Sequence, residues 1–147
     1  MVVGTDTGVG KTLVACGLAA CLNAGGRTVG VLKPVETGCM TRDGQLYPED
    51  AKLLASFAGS PAPLDELCPY RFAPPVAPSV AADQAGVTIQ PERIVALFQR
   101  ISQRHDSVLV EGAGGLLVPL VDRYTFADLA REFPHQIVAI GLARDPP

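Results

Sequence analysis

The stretch that decides the fold is GTDTGVGKT, which runs from Gly4 to Thr12. It follows a short apolar segment, residues 1–3, and it leads into an apolar run from Lys11 to Asn23 that stops before two glycines. Strand, glycine loop and helix in that order are the opening of an α/β unit. We therefore predict a strand over residues 1–3, a glycine loop and a helix over residues 11–23, largely buried against a sheet.

The glycine loop has the composition of a site for a phosphate chain. Backbone N–H groups of such a loop surround phosphate at the positive end of the following helix. Lys11 adds a charge for the β- and γ-phosphates, and the Thr12 hydroxyl suits Mg²⁺. The spacing differs by one residue from G-x-x-x-x-G-K-[ST], because Thr5 occupies the position of the first glycine. A glycine-rich turn ahead of a core helix is the alternative that the loop leaves open.

Composition limits the kinds of protein that this chain can be. It has 147 residues, of which 48% are hydrophobic, and a net charge of -3. This length fits one domain with a buried core, and the negative charge gives no electrostatic reason to expect nucleic acid. No apolar run reaches the ~18 residues of a membrane span, and no signal peptide precedes the loop. We expect one domain over residues 1–147, in the cytoplasm, with neither nucleic acid nor membrane as a partner.

The four cysteines do not form a metal-binding pattern. They contain no C-x-x-C pair and have no neighbouring histidine, so a zinc site is not indicated. Cys16 and Cys21 fall in the apolar helical run, where we predict small buried thiols. A reduced, cytosolic protein is the simplest interpretation.

Strands and helices alternate along the rest of the chain. Predicted strands cover residues 28–32, 107–110 and 136–142; predicted helices cover 49–57, 125–133 and a segment that begins at Pro91 and includes 94–101; residues 61–78 are predicted as an ordered loop with short elements. Proline ends the strand at Leu32, and Thr125 with Asp128 forms a capping box. This alternation favours a mostly parallel sheet covered on both faces.

A second chemical signal is Glu111, which follows an apolar strand and precedes Gly-Ala-Gly-Gly. Ligands of open α/β sheets gather at the carboxyl ends of the strands. A carboxylate there can hold Mg²⁺, and glycines allow a ligand to approach the backbone closely. By themselves, Glu111 fits a solvated strand end, Lys33 a surface charge and Asp50 an acidic helix start.

Several stretches occur in the order and spacing of the dethiobiotin synthetases, and on them the chain resembles that family. They are GTDTGVGKT at 4–12, KPVETG at 33–38, the acidic pair at 49–50, YRFAPPVAPS at 70–79, LVEGAGGLLVPL at 109–120 and YTFADLA at 124–130. The resemblance implies a P-loop fold with a doubly wound, three-layer α/β/α sheet and a homodimer. It also implies that the C-terminal part of the family fold is missing and that this chain is a poor catalyst as it stands.

The activity that the resemblance implies is an ATP-dependent ring closure. From 7,8-diaminononanoate and CO₂ or bicarbonate it gives dethiobiotin, through a carbamate and a mixed carbamic-phosphoric anhydride. The residues carried over as catalytic are Lys11, Lys33 and Thr37. Those carried over to the ATP site are Thr7, Gly8, Val9, Gly10, Lys11, Thr12, Glu111 and Gly114. Those carried over as Mg²⁺ ligands are Thr12, Asp50 and Glu111.

Two other functions stay open at this point. One is another P-loop enzyme of the same fold, such as an amide synthase or a partitioning ATPase. The sequence shows neither the amide-donor domain of the first nor the basic partner-binding surface of the second. The other is a non-catalytic remnant that serves as a binding module. Binding of MgATP separates this remnant from an enzyme.

Overall fold

The computed structural model describes residues 1–133 and 138–141. The strands are β1 Val2–Gly4, β2 Val29–Leu32, β3 Val35–Thr37, β4 Met40–Arg42, β5 Gln45–Tyr47, β6 Tyr70–Phe72, β7 Ser107–Val110, β8 Pro119–Val121, β9 Tyr124–Thr125 and β10 Val138–Ile140. The helices are α1 Lys11–Ala24, α2 Glu49–Ala58, α3 Leu64–Leu67, α4 Pro78–Ala85, α5 Pro91–Ser102 and α6 Phe126–Arg131. The predicted opening of strand, glycine loop and helix is confirmed.

The central strands run parallel in the order β2, β7, β1, β10. β2 pairs with β7, and β1 pairs with β10. A bridge between Val2 and Glu111 joins β7 to β1. β3 and β6 form a further parallel pair, whereas β4–β5 and β8–β9 are antiparallel. The prediction of a mostly parallel sheet is confirmed, and the carboxyl ends of β1, β2 and β7 share one edge.

Two apolar cores lie on opposite faces of this sheet. Successive side chains of a strand point to opposite faces, so neighbouring residues enter different cores. Val2 and Leu109 pack with side chains of α1 and α2. Val3 and Val110 pack with side chains of α4, α5 and α6. This is the expected three-layer α/β/α arrangement, with helices on both sides of the strands.

The first helix is less buried than its apolar sequence suggests. Ala15, Cys16 and Ala19 are buried, but Leu13 is 78% exposed and Cys21 is also exposed. The prediction of a buried Cys21 thiol is therefore wrong. A step of five residues turns an α-helix by about 140° beyond a full turn, which places Cys21 away from the face that Cys16 buries. α1 covers the sheet with one face only.

Two segments contain elements that the sequence did not predict. Residues 35–47 form β3 and the β4–β5 hairpin, and residues 78–85 form α4. The hairpin turns at Asp43 and Gly44, both of which have positive φ, as an Asp-Gly turn between strands requires. α4 begins with Pro78 at its first position and ends before Gly86 in the left-handed conformation. The three strands have three residues each, fewer than the minimum of about four over which an alternating pattern can be recognised, and β3 also depends on pairing with the distant β6.

The later elements agree closely with the predictions. α5 begins at Pro91, and the Thr125–Asp128 capping box forms at the start of α6. α6 ends at Arg131 instead of residue 133. β10 lies within the strand predicted over residues 136–142, of which residues 136, 137 and 142 are outside the described part. In the described part, none of the helices combines the length and the apolar character needed to cross a membrane.

Candidate active site

The candidate site lies at the edge where β1, β2 and β7 end. β1 leads into the glycine loop, β2 into Lys33 and β7 into Glu111. These segments surround a pocket of about 270 Å³. The residues that line it are Thr7, Gly8, Gly10, Lys11, Thr12, Leu13, Lys33, Glu36, Thr37, Asp50, Glu111, Ala113 and Gly114. Every predicted site residue is in the described part, and all of them except Val9 line this pocket.

The glycine loop owes its shape to its backbone conformation. Gly8 and Gly10 have φ values of 76° and 98°, in the region that L side chains rarely adopt. A Cβ at either position would meet no described protein atom within 4 Å, so the space in front of the loop is open. Gly10 directly precedes α1 and has no side chain to cap it. The first N–H groups of α1 thus face a position suited to an anion.

Val9 contributes to the loop differently from its neighbours. Its side chain is buried, and a Cβ at Gly4 would lie 2.7 Å from its Cγ2 atom. The Val9 side chain therefore packs beneath the loop, away from the pocket. Any contact of this residue with phosphate would involve its backbone.

Lys11 brings a buried positive charge into the pocket. Its Nζ atom donates a hydrogen bond to the Asp6 carbonyl oxygen at 2.6 Å. Burial lowers the pKa of Lys11, and the Lys33 ammonium lowers it further. The nearby carboxylates of Glu111, Asp50 and Asp6 oppose this effect without reversing it. A bound polyanion would remove this electrostatic penalty, as expected for a phosphate-binding lysine.

Lys33 joins two carboxylates at the centre of the site. Its Nζ atom lies 2.7 Å from Glu111 Oε1 and 2.9 Å from Asp50 Oδ2. Lys33 is 2% exposed and Glu111 is fully buried. Burial alone would lower the pKa of Lys33, but the two carboxylates outweigh burial and raise it above its ordinary value. The ammonium is therefore charged at neutral pH.

Glu111 has one carboxylate oxygen in use and one without a partner. Oε1 accepts hydrogen bonds from Thr12 Oγ1 at 2.8 Å and from Lys33. Within the described residues, Oε2 is buried and has no hydrogen-bond partner. Buried polar atoms are seldom left unpaired, so this oxygen indicates a ligand position.

The oxygen donors around this position suit Mg²⁺. They are the Thr12 hydroxyl and the carboxylates of Asp50 and Glu111, and Mg²⁺ typically takes one or two carboxylates together with phosphate oxygens and water. The described part of the chain has no group of three or more His, Cys, Asp or Glu side chains that would bind a metal ion unaided. The donor set fits an ion that arrives with a nucleotide.

Glu36 is a pocket residue to which the sequence prediction gave no role. It is 7% exposed, and its two carboxylate oxygens accept the N–H groups of Asp50 and Ala51, each at 3.1 Å. Burial raises the pKa of Glu36. The two N–H groups and the Lys33 charge partly offset this increase. Its hydrogen-bond partners are far along the chain, so no local pattern could identify this role. Leu13 and Ala113 also line the pocket without having been predicted.

The glycines after β7 hold the second loop against the first. A Cβ at Gly115 would lie 2.8 Å from the Thr5 carbonyl oxygen, so only glycine fits there without a shift. The next residue, Leu116, donates its N–H to the Gly4 carbonyl oxygen at 2.7 Å. The absence of a side chain at Gly115 therefore allows the loop after β7 to contact the loop after β1.

The match to a family model covers residues 1–142, and that family is described as an AAA domain. Among curated proteins, the ATP-dependent dethiobiotin synthetase BioD of Anaeromyxobacter dehalogenans (strain 2CP-C) is 42% identical, with 97% of this chain and 62% of the relative covered. The protein of the same name from Bacillus licheniformis is 44% identical, over 94% of this chain and 58% of the relative. The one from Aquifex aeolicus is 39% identical, over 97% and 62%.

The chain spans about three fifths of the length of these relatives, 58% to 62%. The family match covers residues 1–142, and these include every residue that lines the candidate pocket. The chain therefore belongs to the AAA domain family, as a P-loop protein similar to the ATP-dependent dethiobiotin synthetases.

Proposed function

We propose that this chain carries the ATP-binding and phosphoryl-transfer site of a dethiobiotin synthetase. The observation that carries the proposal is the convergence of Lys11, Lys33, Thr12, Asp50 and Glu111 on one pocket at the start of α1. Relatives that bear this name are 39% to 44% identical over nearly the whole chain. A bundle of two cations and two anions around open space suits a phosphate chain and its metal ion.

The proposed substrates are 7,8-diaminononanoate, CO₂ or bicarbonate, and ATP. One amine of the diamine adds to CO₂ and loses a proton, which forms a carbamate. A carbamate oxygen attacks the γ-phosphorus of ATP, and ADP leaves. The second amine then attacks the carbonyl carbon and displaces phosphate, which closes the cyclic urea of dethiobiotin.

In this proposal the chain acts by positioning and by charge. The loop over residues 7–12 and Lys11 hold the phosphates, and Lys33 stabilises the charge that develops on the transferring phosphoryl group. Thr37 orients the diamine through its hydroxyl. The burial of Lys33 excludes water from its ammonium, and a charge in a dry site stabilises a transition state more strongly than one in water.

Thr12, Asp50 and Glu111 are the proposed Mg²⁺ ligands. Support comes from the unpartnered Oε2 of Glu111 and from the all-oxygen donor set. When bound, Mg²⁺ neutralises charge on the β- and γ-phosphates. The chain's own contribution is to hold these oxygens beside the glycine loop.

A cytoplasmic homodimer is part of the same proposal. All four cysteines are described and are free thiols, which suits a reducing compartment. Leu13, Leu53 and Phe57 expose large apolar side chains on α1 and α2, and such surfaces often mark subunit contacts. Sedimentation velocity over a range of concentrations tests the dimer; a monomer at every concentration would contradict it.

The experiment that tests ATP binding is a calorimetric titration with MgATP. We expect Lys11→Ala to weaken binding by at least about tenfold, because a hydrogen bond to a charged group contributes about 1.5–3 kcal/mol. Lys52→Ala is the matched control, since Lys52 lies on α2 and does not line the pocket. Absence of binding by the unaltered chain, or equal binding by Lys11→Ala, would refute the proposal.

A second titration tests the substrate. The diamine is added, with bicarbonate, to the chain saturated with MgATP, and ADP is measured alongside heat. We expect binding heat and ADP that depend on both additions. MgATP binding without any response to the diamine would support another P-loop enzyme instead.

A further inference from the structure

Glu36 is a buried acidic residue that the proposed reaction leaves without a task. It lies in β3, directly before Thr37, and it lines the phosphate pocket. Its side chain turns toward α2, where Oε1 accepts the N–H of Asp50 and Oε2 accepts the N–H of Ala51. One carboxylate thus connects the end of a strand to the beginning of a helix.

These hydrogen bonds replace a cap that α2 cannot form by itself. The helix begins at Glu49 after Pro48, whose side chain has no atom that accepts a hydrogen bond. The first N–H groups of a helix lack partners within it, and a side-chain cap is worth about 1 kcal/mol. Glu36 supplies this cap from a separate strand, with a negative charge at the positive end of the helix.

The same contact determines where Asp50 stands. Asp50 donates its own N–H to Glu36, and its carboxylate reaches Lys33 Nζ at 2.9 Å. Its side chain is 45% exposed, so packing restrains it much less than it restrains Glu111. The backbone anchor at Glu36 therefore restrains the direction from which the Asp50 carboxylate enters the pocket, in addition to the packing of α2 in the core.

We propose that Glu36 is a positioning residue, which holds the start of α2 against the end of β3 so that Asp50 presents its carboxylate to the cation of the phosphate pocket. The inference rests on the proposed role of Asp50 as a Mg²⁺ ligand. It goes beyond that role in giving Glu36 control over the cation while Glu36 itself ligates neither metal nor phosphate.

The test compares Glu36→Gln with the unaltered chain. Glutamine keeps the length of the side chain but has one oxygen, and its NH₂ group would face a backbone N–H instead of accepting from it. We expect the Mg²⁺ concentration that gives half-maximal enhancement of ATP binding to rise about tenfold, the effect of losing one hydrogen bond to a charged group. ATP binding in excess EDTA is expected to stay within about twofold, because the glycine loop is untouched.

Asp128→Asn in the α6 capping box is the matched control. Asp128 also accepts a backbone N–H at a helix start, that of Thr125, but it does not line the phosphate pocket. We expect both variants to lower the thermal midpoint and only Glu36→Gln to change the Mg²⁺ requirement. If both variants lose stability and neither changes that requirement, Glu36 is a helix cap alone and the inference is overturned.

Titration with Mn²⁺ in the presence of inorganic tripolyphosphate separates this inference from the proposed function, because tripolyphosphate supplies the phosphate oxygens of the donor set without a nucleotide. Binding is followed by water proton relaxation. Weaker Mn²⁺ binding by Glu36→Gln than by Asp128→Asn supports the positioning role even if ATP fails to bind. Equal Mn²⁺ binding by the two variants contradicts it. Glu36→Asp provides a rescue test, because a carboxylate that is one methylene shorter should recover part of the lost affinity if two accepting oxygens are what matters.

Discussion

Replacing Lys33 with methionine removes the positive charge between the two carboxylates of the site. In the unaltered chain Lys33 Nζ contacts Glu111 Oε1 at 2.7 Å and Asp50 Oδ2 at 2.9 Å. Methionine has a similar length and no charge. Glu111, which is fully buried, would keep a single hydrogen-bond partner among these groups, the Thr12 hydroxyl.

The size of the effect follows from the burial of the two carboxylates. Removing one partner of a buried ion pair costs about 3–5 kcal/mol, since the other charge stays buried without compensation. Asp50 is 45% exposed and can be solvated, so the loss arises mainly at Glu111 and about 3 kcal/mol is expected. For a chain of this length the thermal midpoint falls by about 3 °C per kcal/mol, or by about 9 °C in total.

Added Mg²⁺ should reverse part of this loss. If Asp50 and Glu111 are Mg²⁺ ligands, as proposed, Mg²⁺ must compete with the Lys33 ammonium for their carboxylates in the unaltered chain, whereas it would meet no such competitor in Lys33→Met. At about ten times its dissociation constant, Mg²⁺ stabilises the variant by about 1.4 kcal/mol. The assay is thermal unfolding followed by circular dichroism, with and without MgCl₂ at matched ionic strength.

The control is Lys52→Met, which removes an ammonium from α2 outside the pocket. We expect this variant to unfold within about 2 °C of the unaltered chain, since surface substitutions usually cost under about 0.5 kcal/mol. Two results would refute the reasoning. One is equal stability of Lys33→Met and Lys52→Met. The other is the same Mg²⁺ response in Lys33→Met and in the unaltered chain.

Three further predictions concern the structure around the site. Gly30→Ala should lower the free energy of unfolding by about 1–3 kcal/mol in urea titrations, because a Cβ there would overlap a side chain of α5; unchanged stability would contradict this packing. Iodoacetamide at neutral pH should modify exposed Cys21 well before Cys39, since burial raises the pKa of the Cys39 thiol to about 11; peptide mass spectrometry shows the order, and equal rates would contradict the burial. The hydrogen bonds that Asp106 accepts from Thr28 hold its pKa below 3.8, so they stabilise the fold above that pH and are lost as the pH falls through the lowered pKa; Asp106→Asn should therefore flatten the acid limb of the stability curve, and an unchanged limb would exclude this contribution.

Much of the fold could be predicted because the responsible signals are local. The Thr125–Asp128 capping box and the proline at the start of α5 act over a few neighbouring residues. Among the elements that escaped prediction, β3 depends on a distant partner. β3 is three residues long and pairs with β6, more than thirty residues later in the chain.

The candidate site divides in the same way. The glycine loop is contiguous, so its residues could be named from the motif. Considered one at a time, Lys33, Asp50 and Glu111 fitted ordinary structural roles at a strand end or a helix start. The resemblance to a family was needed to assign them to one site. Glu36 lies inside a quoted motif, yet its role depends on two N–H groups at the start of α2.

The sequence by itself determined the parallel α/β architecture and a glycine loop of the composition that suits phosphate, because backbone propensities and closely spaced glycines act within a few residues. Tertiary structure alone decided that Cys21 faces outward, that Oε2 of Glu111 is buried without a described partner and that Glu36 caps α2. Those properties depend on which distant segments become neighbours once the strands align. Electrostatic and hydrogen-bond energies depend on the distance between two groups in space, and the number of residues that separate the groups along the chain does not give that distance.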